Sequence, residues 1–139
     1  MDRSSLTPAG TEPDYTTILR ANLNQVFNER DATRRRAAVD ALFSAQATLY
    51  EPDGIVSGGE AISHVAGALL EQFGPDFAFE AEGAALGHHG LGYLRWRAGP
   101  KGGPVVVSGV DVAQITDGKI AQLWVLLDPP HGAPAEGLR

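Results

Sequence analysis

Asp111 lies in the run Val105-Val106-Val107-Ser108-Gly109-Val110-Asp111-Val112-Ala113, an acid in a largely β-branched stretch. A charge buried there without a partner is costly. Two readings follow. In one the carboxyl points to solvent and pairs with an arginine. In the other it points inward, and loss of water raises its pKa toward neutrality, which suits proton transfer. Strand alternation groups Val107, Gly109, Asp111, Ala113 and Ile115 on one face. Glu51 is the second carboxylate of interest. It shares a face with Ala47 and Leu49 and precedes Pro52. It is either an exposed turn acid or a carboxylate at a cavity mouth, and two carboxyls in different environments have pKa values driven apart.

His88 and His89 are the remaining acid/base candidates, because imidazole titrates near neutrality. Alternation places His88 with Leu94 and Trp96, and His89 with Tyr93 and Arg95. If Trp96 lines a pocket, His88 does too; a bulge at Gly90 would exchange the pair. A solvated hairpin is the plain alternative. Adjacent strand residues point to opposite faces, so the two histidines are a poor metal pair. His64 falls opposite the apolar stripe of its helix, and His131 falls near the C-terminus. No metal site is expected, and no cofactor: the chain has no cysteine, and Gly58-Gly59 and Gly102-Gly103 lack the context of phosphate loops. The large rings Trp96, Tyr50, Phe27, Tyr93, Phe77 and Phe79, with Leu23, are candidates to line an apolar pocket for a small hydrophobic molecule. For most of them ordinary core packing is the alternative. Trp124 alternates with Gln122 and Leu126 and suits an outer sheet face, where it could anchor a dimer.

The elements that position these residues follow from periodicity. Asp14 can cap a helix to about Glu29, with Tyr15, Leu19, Leu23, Val26 and Phe27 on one face. Asp31 or Thr33 can cap a second helix to about Ser44, with Ala38, Ala41, Leu42 and Ala45 inward. A short strand over 46–51 ends at the turn Pro52-Asp53-Gly54, and Ile55-Val56 suggests another. A third helix, 60–73, buries Ile62, Val65, Ala66, Leu69, Leu70 and Phe73 and stops at Gly74-Pro75. The period then changes to two, with strands expected at 77–86, 90–98, 104–116 and 119–128. Asp117-Gly118 is a strong hairpin signal. Three helices followed by strands imply an α+β domain, its helices packed in a curved, mostly antiparallel sheet.

The chain of 139 residues suits one domain. Residues 1–13 read as a flexible arm, 14–128 as the folded domain and 129–139 as a flexible tail. With 17 acidic and 11 basic residues the net charge is −6, which argues against nucleic-acid binding. Arg34-Arg35-Arg36 fans around a helix and reads as a solvated face. No stretch reaches 18 apolar residues, so no membrane span is expected. The N-terminus does not resemble a signal peptide, and the lack of cysteine fits a reducing compartment, hence a cytoplasmic location.

The stretch from Gly109 to Trp124, GVDVAQITDGKIAQLW, resembles the C-terminal signature of the SnoaL-like polyketide cyclases, part of the NTF2-like superfamily with the ketosteroid isomerases. Phe27-Asn28-Glu29-Arg30-Asp31, Ala47-Thr48-Leu49-Tyr50-Glu51-Pro52 with Gly58-Gly59-Glu60-Ala61-Ile62, and Leu94-Arg95-Trp96 resemble the same superfamily in the same order. The resemblance covers about residues 15–128. It implies a cone-shaped fold, a homodimer through the outer sheet face, and a deep pocket between the sheet and the first helices. It also implies an acid/base role for Asp111 and a base at Glu51, where the isomerases carry aspartate. The isomerase tyrosine of the first helix would fall near Leu23. The implied activity is cofactor-free cyclisation or isomerisation of a hydrophobic carbonyl compound, with Asp111 moving the proton, Glu51 or His88 as partner, and Trp96 and Tyr50 shaping the pocket. A non-catalytic ligand-binding domain and a dimeric interaction module are the alternatives this scaffold allows. Epoxide hydrolysis would need two acids and an arginine; only Asp111 with Arg95 or Arg97 is available.

Overall fold

A computed structural model of the chain describes residues 12–130. Asp14 caps the first helix, accepting from the Thr17 amide at 3.1 Å. Helix α1 runs Tyr15–Ala21 and continues as a π-helical segment, Asn22–Phe27. The wide turn is closed by the Asn28 N–H donating five residues back to the Leu23 carbonyl at 2.8 Å. The expected face is buried: Tyr15, Leu19, Leu23, Val26 and Phe27 all enter the core. The Asn28 side chain then fixes this helix end to a strand. Its amide donates to the Phe79 carbonyl and accepts from the Phe79 N–H, both at 2.8 Å.

Helix α2 is Ala32–Leu42, capped by Asp31. It ends earlier than its alanine spacing predicts, because Phe43 is already extended and opens strand β1, Phe43–Glu51. Ala45 therefore belongs to the strand. The buried residues of α2 are Arg35 and Val39, not an alanine stripe. Arg35 also departs from the expected solvated face. Its guanidinium donates to the Ser63 carbonyl and hydroxyl at 2.9 and 3.1 Å, and to the Glu29 carbonyl at 2.8 Å. These bonds satisfy a buried cation and tie α2 to the third helix.

Strand β2 is Gly54–Ser57 and helix α3 is Gly59–Phe73. Ile62, Ala66 and Leu70 of α3 are buried, whereas Phe73 is exposed on one side. The expected strand 77–86 is two strands, β3 (Phe77–Ala81) and β4 (Leu86–His88), with Gly83 at positive φ between them. Both pair with β5, Leu91–Pro100. Strands β6, Val107–Thr116, and β7, Lys119–Leu127, follow. His89-Gly90 and Asp117-Gly118 both adopt positive φ at two successive residues, the two-residue hairpin turn whose twist matches the strands.

The seven strands form one sheet of order β2-β1-β7-β6-β5-β3, with β4 beside β5. Only the β1–β7 pair is parallel. Bulges interrupt β1–β7 between Phe43 and Thr48 and β6–β7 between Gln114 and Ile115, and such bulges bend a sheet. The architecture is α+β, with the curved sheet wrapped around three helices. The arm over 1–11, and the tail over 131–139 with His131, lie outside the described residues. At the described end of the arm, Glu12 accepts from the Tyr15 hydroxyl at 2.7 Å and from the His89 N–H at 3.1 Å.

Candidate active site

Cross-strand register brings the two carboxylates together. Asp111 of β6 lies opposite Leu94 of β5 and Val125 of β7. Tyr50 of β1 pairs with Trp124 in the parallel β1–β7 ladder. The next residue, Glu51, therefore falls beside Val125, in the same row across the sheet as Asp111. Two strand spacings put their Cα atoms roughly 9–10 Å apart. Alternation sends both side chains to the concave face, with Leu49 and Ala113.

There they meet a cavity of about 210 Å³. Leu23 and Phe27 of the π-helical segment line it, with Leu69 and Phe73 of α3, and Phe79, Trp96, Val107 and Val125 of the sheet. Phe79 stacks edge-on against both Phe27 and Trp96, at 6.0 and 5.4 Å between ring centroids. The indole is held in this way over Gly109, its register partner on β6. A Cβ at Gly109 would meet Trp96 Cζ2 at 3.1 Å and run into the Leu126 carbonyl. With glycine there, Trp96 Nε1 reaches across and donates to Asp111 Oδ1 at 2.9 Å.

Asp111 is 3% exposed. Burial pushes its carboxyl up from 3.8 to about 7. The Trp96 donor opposes that rise, the nearby Glu51 charge adds to it, and the Asn22 amide opposes it. Glu51 is also raised, first by burial and then by the charge of Asp53. One of its oxygens, Oε1, is buried without a hydrogen-bond partner among the described residues. Asp53 and Gln72 join Glu51 in the polar part of the lining.

Asn22 is a residue the sequence reading missed. It is fully buried beside Asp111. Neither side-chain amide atom meets hydrogen-bond geometry with a described group, yet the amide lies close enough to favour the ionised form of Asp111. The signal was present: Leu19, Asn22, Leu23 and Val26 follow the i, i+3, i+4, i+7 spacing of a buried stripe, and Asn22 is its polar member.

Leu23, Phe27, Trp96, Glu51 and Asp111 thus line one cavity. Tyr50, His88 and His89 lie outside its lining. Tyr50 stacks flat on Trp124 at 4.7 Å and donates to Gln122 Oε1 at 2.7 Å; these belong to the outer sheet face. His88 and His89 are exposed at the β4–β5 turn, their Nδ1 atoms 2.9 Å apart. The two-residue turn at His89-Gly90 pairs His88 with Leu91, on the face of the sheet opposite Trp96. Tyr93 also faces outward. Arg95 and Arg97 stand on that outer face as well, paired with Asp128 at 2.8 Å and Glu80 at 3.5 Å. They are therefore not placed to assist Asp111 in opening an epoxide. Among the described residues no group of three or more His, Cys, Asp or Glu side chains is placed to hold a metal ion, and no helix is long and apolar enough to cross a membrane.

The chain matches the family model described as a SnoaL-like domain over residues 21–123. Among solved structures, a protein from Agrobacterium tumefaciens str. C58, provisionally named an isomerase of the SnoaL-like family, is similar at 26% identity and a TM-score of 0.77, over 84% of this chain and 98% of that one. A Kribbella flavida protein provisionally named a ketosteroid isomerase shares the fold at 11% identity and a TM-score of 0.65, over 87% and 82% of the two chains. A Sinorhizobium meliloti protein provisionally named a polyketide cyclase shares it at 16% identity and a TM-score of 0.60, over 90% and 99%. A search of curated proteins finds no significant match.

Proposed function

Because the chain belongs to the SnoaL-like domain family, we propose that it is a small-molecule enzyme running cofactor-free acid/base chemistry, cyclisation or isomerisation, on a hydrophobic carbonyl compound. The observation that carries this reading is Asp111: a carboxyl at the wall of an apolar cavity, buried and raised to about 7. A group with that pKa takes and returns protons with similar ease at neutral pH. As carboxylate, Asp111 removes a proton from the carbon next to the carbonyl. As carboxylic acid, it returns that proton at another carbon, or, when the enolate attacks a second carbonyl, gives the proton to the oxygen of that carbonyl. Trp96 holds the carboxyl in place, and the charge of Glu51 keeps it basic.

Proton exchange tests this directly, whatever the natural substrate. A panel of small hydrophobic ketones is incubated with the protein in D₂O, and deuterium at the α-carbon is followed by NMR. Wild type should accelerate exchange, and Asp111→Asn should lose about 10²–10⁴-fold of that acceleration. Equal exchange by both proteins, or binding without exchange, sinks the reading; the second outcome supports a ligand-binding domain instead.

The same proposal includes a cytoplasmic homodimer formed through the outer sheet face. What supports the dimer is an aromatic and apolar row, Tyr93, Val112, Trp124 and Tyr50, crossing β5, β6, β7 and β1 in register. Sedimentation at twice 14.6 kDa is the expected result, and cell fractionation decides the location.

A further inference from the structure

Asn22 opens the π-helical segment of the first helix, and Leu23, the next residue, lines the same cavity as Asp111. The Asn22 side chain is 0% exposed, and neither Nδ2 nor Oδ1 meets hydrogen-bond geometry with a described group. A buried amide left in this way costs stability. The other buried residues of the segment, Leu23, Val26 and Phe27, are apolar. Asn28, at the end of the segment, gives the contrast. Its amide is committed at both atoms to the Phe79 backbone. Helical turns of the π type also recur at functional sites.

The group beside Asn22 is Asp111. Asp111 Oδ1 already accepts from Trp96 Nε1 at 2.9 Å. An indole only donates, so it offers no acceptor to the proton of the acid form. A side-chain amide carries both a donor and an acceptor. An amide fixed to backbone, as that of Asn28 is, could not exchange one for the other; the amide of Asn22 is not so fixed. No cation shares the work. The other ionisable groups of the cavity are Glu51 and Asp53, and the lining residues of the π-helical segment, α3, β3, β5 and β7 carry none. Arg35 of α2 is engaged by Ser63 and Glu29.

We propose that Asn22 is a positioning residue for Asp111: its amide turns to donate to the carboxylate and to accept from the carboxylic acid, so the carboxyl is held toward the cavity in both halves of a proton transfer. The inference rests on the reading of Asp111 as the acid/base group. Asn22 is not among the lining residues, and it acts through Asp111 rather than on a substrate. A bond to the charged form is roughly twice as strong as one to the neutral form, so the net effect of Asn22 favours ionisation.

NMR tests the pairing without a substrate. The Asn22 side-chain amide, labelled with nitrogen-15, and the Asp111 carboxyl, labelled with carbon-13, are followed together from about pH 5 to about pH 9. The two should share one midpoint, and the Asn22 signal should lose most of its movement in Asp111→Asn. Asn22→Leu places an apolar side chain of similar size in an apolar stripe. It should raise the Asp111 midpoint by about half a pH unit or more. In α-proton exchange it should lower kcat about tenfold and leave KM within about twofold, the mark of a residue that does not touch the ketone. An Asn22 signal that ignores the Asp111 titration, an unchanged midpoint in Asn22→Leu, or an unchanged kcat overturns the inference. Should Asn22→Leu not fold, the shared midpoint in wild type decides. Wild type that exchanges no ketone proton sinks the acid/base reading instead, and the shared midpoint, read without substrate, still upholds or refutes the pairing.

Discussion

Trp96 and Asp111 are joined by an indole N–H to carboxylate bond of 2.9 Å that passes over Gly109, the residue directly opposite Trp96 in the sheet. The bond favours the ionised carboxyl, against burial that favours the acid. The result, a carboxyl near 7, is a balance in which burial, with the Glu51 charge, outweighs the Trp96 donor and the Asn22 amide.

Trp96→Phe keeps an aromatic ring and removes the donor. A hydrogen bond to a charged group is worth about 1.5–3 kcal/mol, so the Asp111 titration should move up by roughly one pH unit or more. Carbon-13 NMR of labelled aspartate reads this directly. An unchanged titration would show that the indole does not tune the carboxyl.

Glu51→Gln should act in the opposite direction. Removing the like charge lets Asp111 ionise more easily, because Glu51 raises the Asp111 pKa. The inflection in the pH profile of α-proton exchange should fall, while Trp96→Phe raises it. Shifts of the same sign in the two variants would contradict the charge arrangement described.

Asp111 also makes stability depend on pH. Its folded pKa, about 7, lies above the ordinary aspartate value of 3.8, so the folded state binds the proton more tightly than the unfolded state. Its contribution is complete below 3.8, declines as pH rises, and is lost above about 7. The full span is on the order of 4 kcal/mol, a large share of the ~5–15 kcal/mol that holds a domain folded. The thermal midpoint of wild type should fall between about pH 5 and pH 8. Asp111→Asn, which keeps an oxygen for the Trp96 donor, should flatten this decline and be the more stable protein at about pH 8. Glu51 is also raised and leaves a residual slope of the same sign. A midpoint curve in Asp111→Asn parallel to that of wild type would contradict the buried, raised carboxyl.

Gly109→Ala probes packing. The added methyl would press on the Leu126 carbonyl and on Trp96, so strand or indole must shift. The expected cost is about 1–3 kcal/mol, with the Asp111 pKa rising as the indole bond lengthens. Denaturant unfolding and the same NMR titration measure both. Wild-type values in both experiments would mean the space over Gly109 is not needed.

The sequence by itself determined the features that depend on neighbours along the chain. The Asp117-Gly118 hairpin was legible because two successive positive-φ residues are a local steric requirement. The inward face of the first helix was legible from spacing alone. The family was legible from the stretch around Asp111, which the family model covers almost entirely. Other features were decided only by the tertiary structure, because they depend on partners far apart in the chain. Periodicity left Asp111 free to face either way; pairing with β5 and β7 and the helices over the concave face set it inward. That Glu51 stands in its row follows from the parallel β1–β7 ladder, between segments some seventy residues apart. The same geometry moved Tyr50 to the outer face and left His88 and His89 at an exposed turn. Side-chain alternation is a property of one strand, but which face becomes the dry one is a property of the whole sheet, and so is the raised pKa of Asp111.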